Sequence, residues 1–165
     1  MILTPSEDQS LYKMVDKNVK SLLYRGTRDG FASSAFHSRC DGKANTITII
    51  KNDINHVFGG YTSVAWHSSV SYSYDSSAYL FSLRRDKSTN SEKYLINDSQ
   101  KAIFGHSSYG PTFGGGFDIY ICPNANTNKC SYNNKSSYNI PSSNYLAGKS
   151  GGDWLVTEIE VYQLE

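Results

Sequence analysis

The sequence has little net charge, few cysteines and no long apolar run. Its 165 residues carry a formal net charge of +1, so no broad field attracts nucleic acid or an anionic membrane. No apolar stretch approaches the length that crosses a bilayer, and residues 1–5 lack the basic and apolar regions of a signal peptide. These absences predict a cytoplasmic protein that binds no nucleic acid and does not insert directly into a membrane.

The cysteines are Cys40, Cys122 and Cys130, an odd number that excludes a full disulfide framework within one chain. Cys122 and Cys130 flank a loop rich in Pro and Asn, so they could be close enough to pair. Because the cytosol keeps thiols reduced, we expect free thiols. The sequence by itself leaves the pairing of Cys122 with Cys130 open.

Hydrophobic content is low but aromatic content is high. Hydrophobic residues make up 38% of the chain and the mean hydropathy is -0.49, whereas aromatic residues reach 13%. Aromatic rings bury a large area each, and disordered segments contain few of them. The length fits one domain. We therefore expect one folded domain with a proper core.

The N-terminal segment has the pattern of an amphipathic helix. Ser6 followed by Gln9 matches a capping box, and Leu11, Met14 and Val15 recur at helical spacing. We predict a helix within residues 6–18 whose apolar stripe docks on the rest of the domain. Residues 1–19 then form an N-terminal helical segment, and residues 20–165 form the main body.

A charged turn separates a predicted strand at residues 22–24 from a predicted helix at residues 31–39. Gly26 and Gly30 bracket the turn, where chain reversal favours glycine. Asp29 stands where a cap would accept a backbone N–H of the helix's first turn.

Arg25, Arg28 and Asp29 lie together in this turn. An arginine–carboxylate fork would fix the turn internally. The same charges could instead form an exposed charged surface that contacts a partner. All three residues are therefore candidate partner-binding residues.

Most of the remaining chain has the pattern of short strands separated by turns rich in Gly, Asn and Ser. Strands are predicted at residues 46–50, 57–64, 78–83, 93–96, 101–104, 117–121 and 157–162, with surface loops at 67–77 and 123–144. The first two of these strands form an antiparallel hairpin, and Gly59 and Gly60 indicate a bulge or a crowded crossing. The pattern predicts a mainly β fold with short helices (α+β), an antiparallel two-sheet β-sandwich flanked by helices.

Two strand surfaces are further candidate partner-binding elements. Glu158 and Glu160 are two residues apart on the predicted last strand, so they share one face, which we interpret as a solvated or partner-facing edge. The strand that contains Gly59 and Gly60 is the other candidate.

One arrangement could support chemistry. His37 and Cys40 are three residues apart on the predicted helix, and Asp29 or Asp41 could orient the histidine. However, Cys40 lies at the helix's C-terminal end, where the helix dipole disfavours a thiolate. The four histidines show no zinc-ligand spacing, and residues 113–117 lack the Lys and Ser/Thr of a P-loop. We therefore predict no catalytic residue, no metal site and no cofactor.

Blocks along the chain resemble the TLDc domain family. They read LLYRGTRDGFASSAFHSRCDGKANTITIIK, VFGGYTSVAW, AYLFSL, GPTFGGGFDIYI, YLAG and EIEVYQL, and they occur in order from about residue 20 to residue 165. The family includes oxidation-resistance proteins, a nuclear-receptor-coactivator relative and a member fused to a Rab-GAP domain. The resemblance implies two antiparallel sheets with short helices packed around them.

The resemblance also implies a non-enzymatic module that binds and regulates the vacuolar-type proton ATPase through its peripheral sector and supports resistance to oxidative stress. Such a protein would be cytoplasmic and would reach organelle membranes through its partner. Two alternatives stay open. One is an enzyme that protects against oxidants, with His37, Cys40 and Asp29 as its site; the other is a structural subunit of a cytoskeletal or ciliary assembly.

Overall fold

A computed structural model describes residues 1–165. Two antiparallel sheets and three short helices make up the protein. The helices are α1 (Pro5–Val15), α2 (Gly26–Asp29) and α3 (Ser33–Cys40), with a 3₁₀ turn at Ser99–Lys101. The strands are β1 (Val19–Arg25), β2 (Thr46–Asn52), β3 (Val57–Thr62), β4 (Ser69–Ser73), β5 (Tyr79–Arg84), β6 (Glu92–Leu95), β7 (Ile103–His106), β8 (Thr112–Phe113), β9 (Ile119–Tyr120) and β10 (Val156–Leu164). The predicted fold class, a mainly β antiparallel two-sheet sandwich with flanking helices, is confirmed.

The strand order shows how the sheets are assembled. The larger sheet has the order β1-β10-β2-β3-β5-β6 and the smaller sheet has the order β4-β7-β8-β9. The predicted β2–β3 hairpin is confirmed, with Ile49 opposite Gly59. The last strand, β10, pairs with β1 on one side and β2 on the other. Side chains of β10 therefore have neighbours from both adjoining strands.

One predicted loop contains a strand. Residues 67–77 are rich in Ser and Tyr and nearly free of aliphatic side chains, which predicts a loop, but β4 forms within them and pairs with β7. Tyr72 lies opposite Phe104 in this pair. The prediction was wrong because β4 is an edge strand, whose backbone is held by a distant partner and whose side chains need not be aliphatic.

The main core lies between the sheets. It combines Phe58 of β3, Phe113 of β8 and Phe36 of α3. A second cluster lies on the opposite face of the larger sheet, where Leu11 of α1 packs near Ile49 of β2. Because successive side chains of a strand point to opposite faces, one strand of alternating residues supplies both cores.

Helix α1 docks on its own domain through this second cluster, as predicted, but its N-cap lies two residues earlier than expected. Its N-cap is Thr4, whose hydroxyl accepts the N–H of Glu7, while the Glu7 carboxylate accepts the N–H of Thr4. The predicted capping box of Ser6 with Gln9 was therefore wrong. Thr4 is favoured because Pro5, at the first helical position, has no N–H to leave unpaired.

Residues 123–144 contain no helix or strand, as expected, yet they are well packed. Asn133, Tyr138 and Ile140 in this segment are buried. Cys122 and Cys130 form a disulfide, with their Cα atoms 5.7 Å apart. The expectation of free thiols was wrong for this pair because the intervening loop folds back on itself: the N–H groups of Thr127 and Asn128 both bond to the carbonyl of Asn124.

Candidate functional site at the arginine turn

The arginine turn, residues Arg25–Asp29, consists of the last residue of β1 and the single helical turn α2. Gly26 is buried, and a Cβ at this position would lie 2.5 Å from the Phe31 ring, so a larger residue would have to displace that ring. The Tyr24 hydroxyl donates to the Gly30 carbonyl at 2.8 Å, which closes the turn behind α2. The backbone of the arginine turn is thus fixed from both ends.

Asp29 is the centre of this turn. Its carboxylate accepts the backbone N–H of Arg25 at 2.9 Å and two guanidinium bonds from Arg28 at 2.9 and 2.7 Å. Arg39, from α3, approaches the same carboxylate at 3.0 Å. The Asp29 side chain is only 3% exposed, and the hydrogen bonds from Arg28 hold the pKa of its carboxyl below the usual range. The predicted arginine–carboxylate fork is therefore present.

Asp29 does not cap the helix that follows it. Helix α3 begins at Ser33, and its N-cap, Ala32, makes no side-chain hydrogen bond. The predicted cap was wrong because the Asp29 carboxylate points back to the N–H of Arg25 and is already occupied by two guanidinium groups.

Glu160 lies beneath the turn, on β10. Its side chain is fully buried and pairs with the Arg25 guanidinium through Nε at 3.0 Å and a terminal nitrogen at 2.9 Å. The Tyr162 hydroxyl and the Ile2 N–H also donate to Glu160, at 3.1 and 3.2 Å. The prediction that Glu160 lies on a solvated or partner-facing edge was wrong because β1 lies beside β10 and the backbone of Met1 and Ile2 contacts the carboxylate.

Glu158, two residues earlier on the same face, supports the turn from the other side. One carboxylate oxygen accepts the Thr27 N–H at 3.0 Å, and the other accepts the Thr27 hydroxyl. Glu158 is half-buried. Its carboxylate serves the arginine turn, so it offers little free hydrogen-bonding capacity to a partner.

The exposed part of the arginine turn is cationic. The side chains of Arg28 and Arg39 are 44% and 48% exposed, whereas the carboxylate that they share is covered. Arg25 is only 28% exposed and is committed to Glu160. A partner at this site would therefore contact the outer edges of two guanidinium groups.

The two glycines of β3 lie elsewhere and are inaccessible. A Cβ at Gly59 would lie 1.8 Å from the Thr48 carbonyl oxygen, and a Cβ at Gly60 would lie 2.7 Å from the Phe113 ring. Both residues are buried. The crowded crossing predicted from this pair is present, and burial leaves neither glycine free to meet a partner.

His37 has several polar neighbours. Its Nδ1 lies 2.7 Å from Asp41 and 3.0 Å from the Ser68 hydroxyl. Its Nε2 lies 2.8 and 2.9 Å from the carbonyl oxygens of His106 and Tyr109. In a nucleophilic triad, the nucleophile and the carboxylate meet opposite ring nitrogens. Here Ser68 and Asp41 share one nitrogen and backbone carbonyls occupy the other, which is an arrangement that ties loops together.

Cys40, the last residue of the same helix α3, is fully buried and forms no disulfide. Burial, reinforced by the nearby Asp41 carboxylate, raises the pKa of the Cys40 thiol to about 12. A thiolate is the reactive form of cysteine, so this environment disfavours reactivity. No cavity is lined by His37, Cys40 and Asp29 together, and no group of three or more His, Cys, Asp or Glu side chains is arranged to hold a metal ion.

Sequence reasoning missed three residues of the arginine turn's surroundings: Thr27, Arg39 and Tyr162. Only Tyr162 could have been found from the sequence, because it lies two residues after Glu160 on a strand and therefore shares its face. Arg39 reaches Asp29 only because α3 folds back toward β1. Nothing in the spacing of Thr27 and Glu158 along the chain indicates their contact.

No helix in the structure is long and apolar enough to cross a membrane. In comparisons with known proteins, the sequence model of the TLDc domain matches residues 1–165, which includes α1. No curated protein matches the chain.

Proposed function

Because this chain belongs to the TLDc domain family, we propose that it is a non-enzymatic protein-interaction module that binds and regulates the peripheral sector of a vacuolar-type proton ATPase. The family match over the whole chain carries the proposal. In this role the protein is cytoplasmic, reaches organelle membranes through the ATPase and supports resistance to oxidative stress.

The state of the polar side chains supports a binding role. Cys40 is buried with a raised pKa, and both ring nitrogens of His37 are engaged within the protein. By contrast, Arg28 and Arg39 present exposed charge from a turn that Asp29 and Glu158 hold rigid. A rigid, exposed surface lowers the entropy lost on binding.

The test is capture of the purified peripheral ATPase sector by the immobilised full chain. We expect stoichiometric capture by the wild-type protein and several-fold weaker capture by Arg28→Ala. Asp29 keeps Arg39 and the Arg25 N–H in that variant, so the fold is preserved. Lys87→Ala, in the exposed turn after β5, is the matched control. Absence of wild-type capture would refute the named partner.

A further inference from the structure

Six aromatic side chains lie together on the outer face of the smaller sheet. Their neighbouring ring centroids are 4.8 to 6.4 Å apart. We call them the aromatic array: Tyr72, Phe104, Tyr109, Phe117, Tyr120 and Tyr132. The imidazole of His106 extends it by stacking on Tyr109 at 4.3 Å.

Strand alternation places the aromatic array on the side facing solvent. Ile103 and Ile119 are fully buried in the core between the sheets, so the residues that follow them, Phe104 and Tyr120, point the opposite way. All six side chains of the array are partly exposed, and Tyr72 reaches 38%. The solvent face of an antiparallel sheet is normally polar, so a continuous aromatic face calls for an explanation.

The backbone is strained where it supports this face. Phe117 has a φ of 56° and Val70, on β4, has a φ of 55°. Large and β-branched residues rarely adopt this left-handed conformation, and such outliers concentrate at functional sites. The strain at Phe117 positions its ring against Phe104, Tyr109, Tyr120 and Tyr132. Val70, two residues before Tyr72 in the sequence, is 60% exposed.

Residues 100–140, which supply five of the six rings, have exposed ionic charges of one sign only. Between residues 100 and 140 the sole carboxylate is Asp118, which is buried and accepts the N–H groups of Ser136, Ser137 and Tyr138. Lys101, Lys129 and Lys135 in the same range are exposed. The Lys101 ammonium lies 5.7 Å from the centre of the Tyr72 ring. The complementary ligand is therefore apolar and negatively charged.

We propose that the aromatic array is a docking surface for an acidic segment of a partner protein that also carries apolar side chains, an inference that rests on the proposed role of this chain as an interaction module. Tyrosine anchors with an uncharged centre are typical of protein interfaces. Tyr109 meets Phe117 at 79° and Tyr120 at 84°, so the rings cover one another's faces. These edge contacts cover part of the ring faces on which nucleic-acid bases would stack, which favours a protein ligand.

The test measures binding of the full chain to a random copolymer of glutamate and tyrosine by fluorescence anisotropy. A lysine–tyrosine copolymer and oligothymidylate are the comparison ligands. We expect the acidic copolymer to bind most tightly and added salt to weaken it, because the rim charges are screened.

Two variants remove rings from the aromatic array. Tyr72→Ser removes its most exposed ring, and Phe117→Gly removes a ring while glycine accepts the left-handed backbone. Each should weaken binding of the acidic copolymer about tenfold or more, the loss expected for an interface anchor. Circular dichroism and thermal melting establish that each variant folds. Tyr12→Ser is the control, since Tyr12 is an exposed tyrosine on α1, outside the aromatic array.

Equal binding of the acidic copolymer by wild type and both folded array variants would overturn the proposal. So would tighter binding of oligothymidylate, which would assign the face to single-stranded nucleic acid. Loss of ATPase capture with retained copolymer binding would refute the named partner and leave the docking surface standing. Intact ATPase capture together with failed copolymer binding would refute the docking surface and leave the named partner standing.

Discussion

The Glu7 carboxylate of α1 and the Arg84 guanidinium of β5 form a two-point ion pair across the face of the larger sheet. Arg84 Nε and a terminal nitrogen each lie 2.7 Å from a different Glu7 oxygen. The side chains are 1% and 12% exposed. Since Glu7 also accepts the Thr4 N–H, one residue both starts α1 and fixes it to the sheet.

We predict that Glu7→Ala lowers the free energy of unfolding by about 3 kcal/mol, because it leaves the Arg84 charge buried without its partner and removes the cap. Urea unfolding followed by circular dichroism measures the loss. Asp8→Ala, an exposed acidic neighbour on the same helix, should change stability by no more than about 0.5 kcal/mol. Equal urea midpoints for the two variants would contradict the assignment.

Asp75 should make stability depend on acid. Burial alone would raise the pKa of this carboxyl, but hydrogen bonds from Ser77, Ser63 and Thr62 outweigh burial and hold it below its usual value. A lowered folded-state pKa means that the stabilisation is present above the unfolded-state pKa and is lost as pH falls through the folded-state value. The same sign holds for Asp29, whose pKa is also lowered.

We therefore predict that the melting temperature falls as pH drops from 7 to below about 4, the usual range of an aspartate pKa. Asp75→Asn should melt lower than wild type at neutral pH but lose less on acidification, because it has no proton to gain. Thermal melts across this pH range test it. Parallel curves for the two proteins would show that Asp75 does not contribute to the acid sensitivity.

The crowded crossing at β3 makes Gly59 intolerant of any side chain. Its added Cβ would overlap the Thr48 carbonyl oxygen of a hydrogen-bonded neighbouring strand, which cannot move freely. We expect Gly59→Ala to cost about 3 kcal/mol or more, at the upper end for overpacking. Gly42→Ala is the comparison: it has open space but a φ of +78°, so it should cost only about 1–2 kcal/mol. Chemical denaturation measures the free energy of unfolding of both variants. A similar loss of stability in both would contradict the steric explanation.

Removing Asp29 should loosen the arginine turn. Asp29→Ala leaves the Arg25 N–H without its acceptor and two guanidinium groups without a carboxylate, so we expect a loss of about 1–2 kcal/mol. Asp53→Ala, at an exposed aspartate in the turn between β2 and β3, should be close to neutral. Melting temperatures give the comparison, and an unchanged value for Asp29→Ala would mean that the fork adds nothing to stability.

Under the proposed role in stress resistance, protection against peroxide should not depend on the Cys40 thiol. The thiol is buried and its raised pKa keeps it protonated at neutral pH, so Cys40→Ala should preserve stress survival in cells that depend on this protein. Alanine is chosen because serine would bury a hydroxyl in the core. Survival assays with expression checked by immunoblotting measure the effect. Lost protection from a folded, normally expressed variant would favour the enzyme alternative.

Local pattern was sufficient for several elements. The β-branched run of β2 and the short turn before β3 predict a hairpin, and that hairpin is present because its contacts are near in sequence. Helix α1 was predicted from the spacing of Leu11, Met14 and Val15, and it docks as expected. In both cases the spacing of the apolar side chains indicates which face is apolar, and that face packs against another part of the protein.

The residues themselves determined the fold class, the hairpin and the charged composition of the arginine turn. Tertiary structure decided which of those charges are free. Alternation places Glu158 and Glu160 on one face, but only the pairing of β10 with β1, far earlier in the chain, brings Arg25 and Thr27 onto them. The aromatic array likewise joins β4, β7, β9 and the loop at Tyr132, whose rings meet only when the smaller sheet forms. A local sequence pattern indicates which way a side chain points. The exposure of that side chain depends on segments distant in sequence that pack over it.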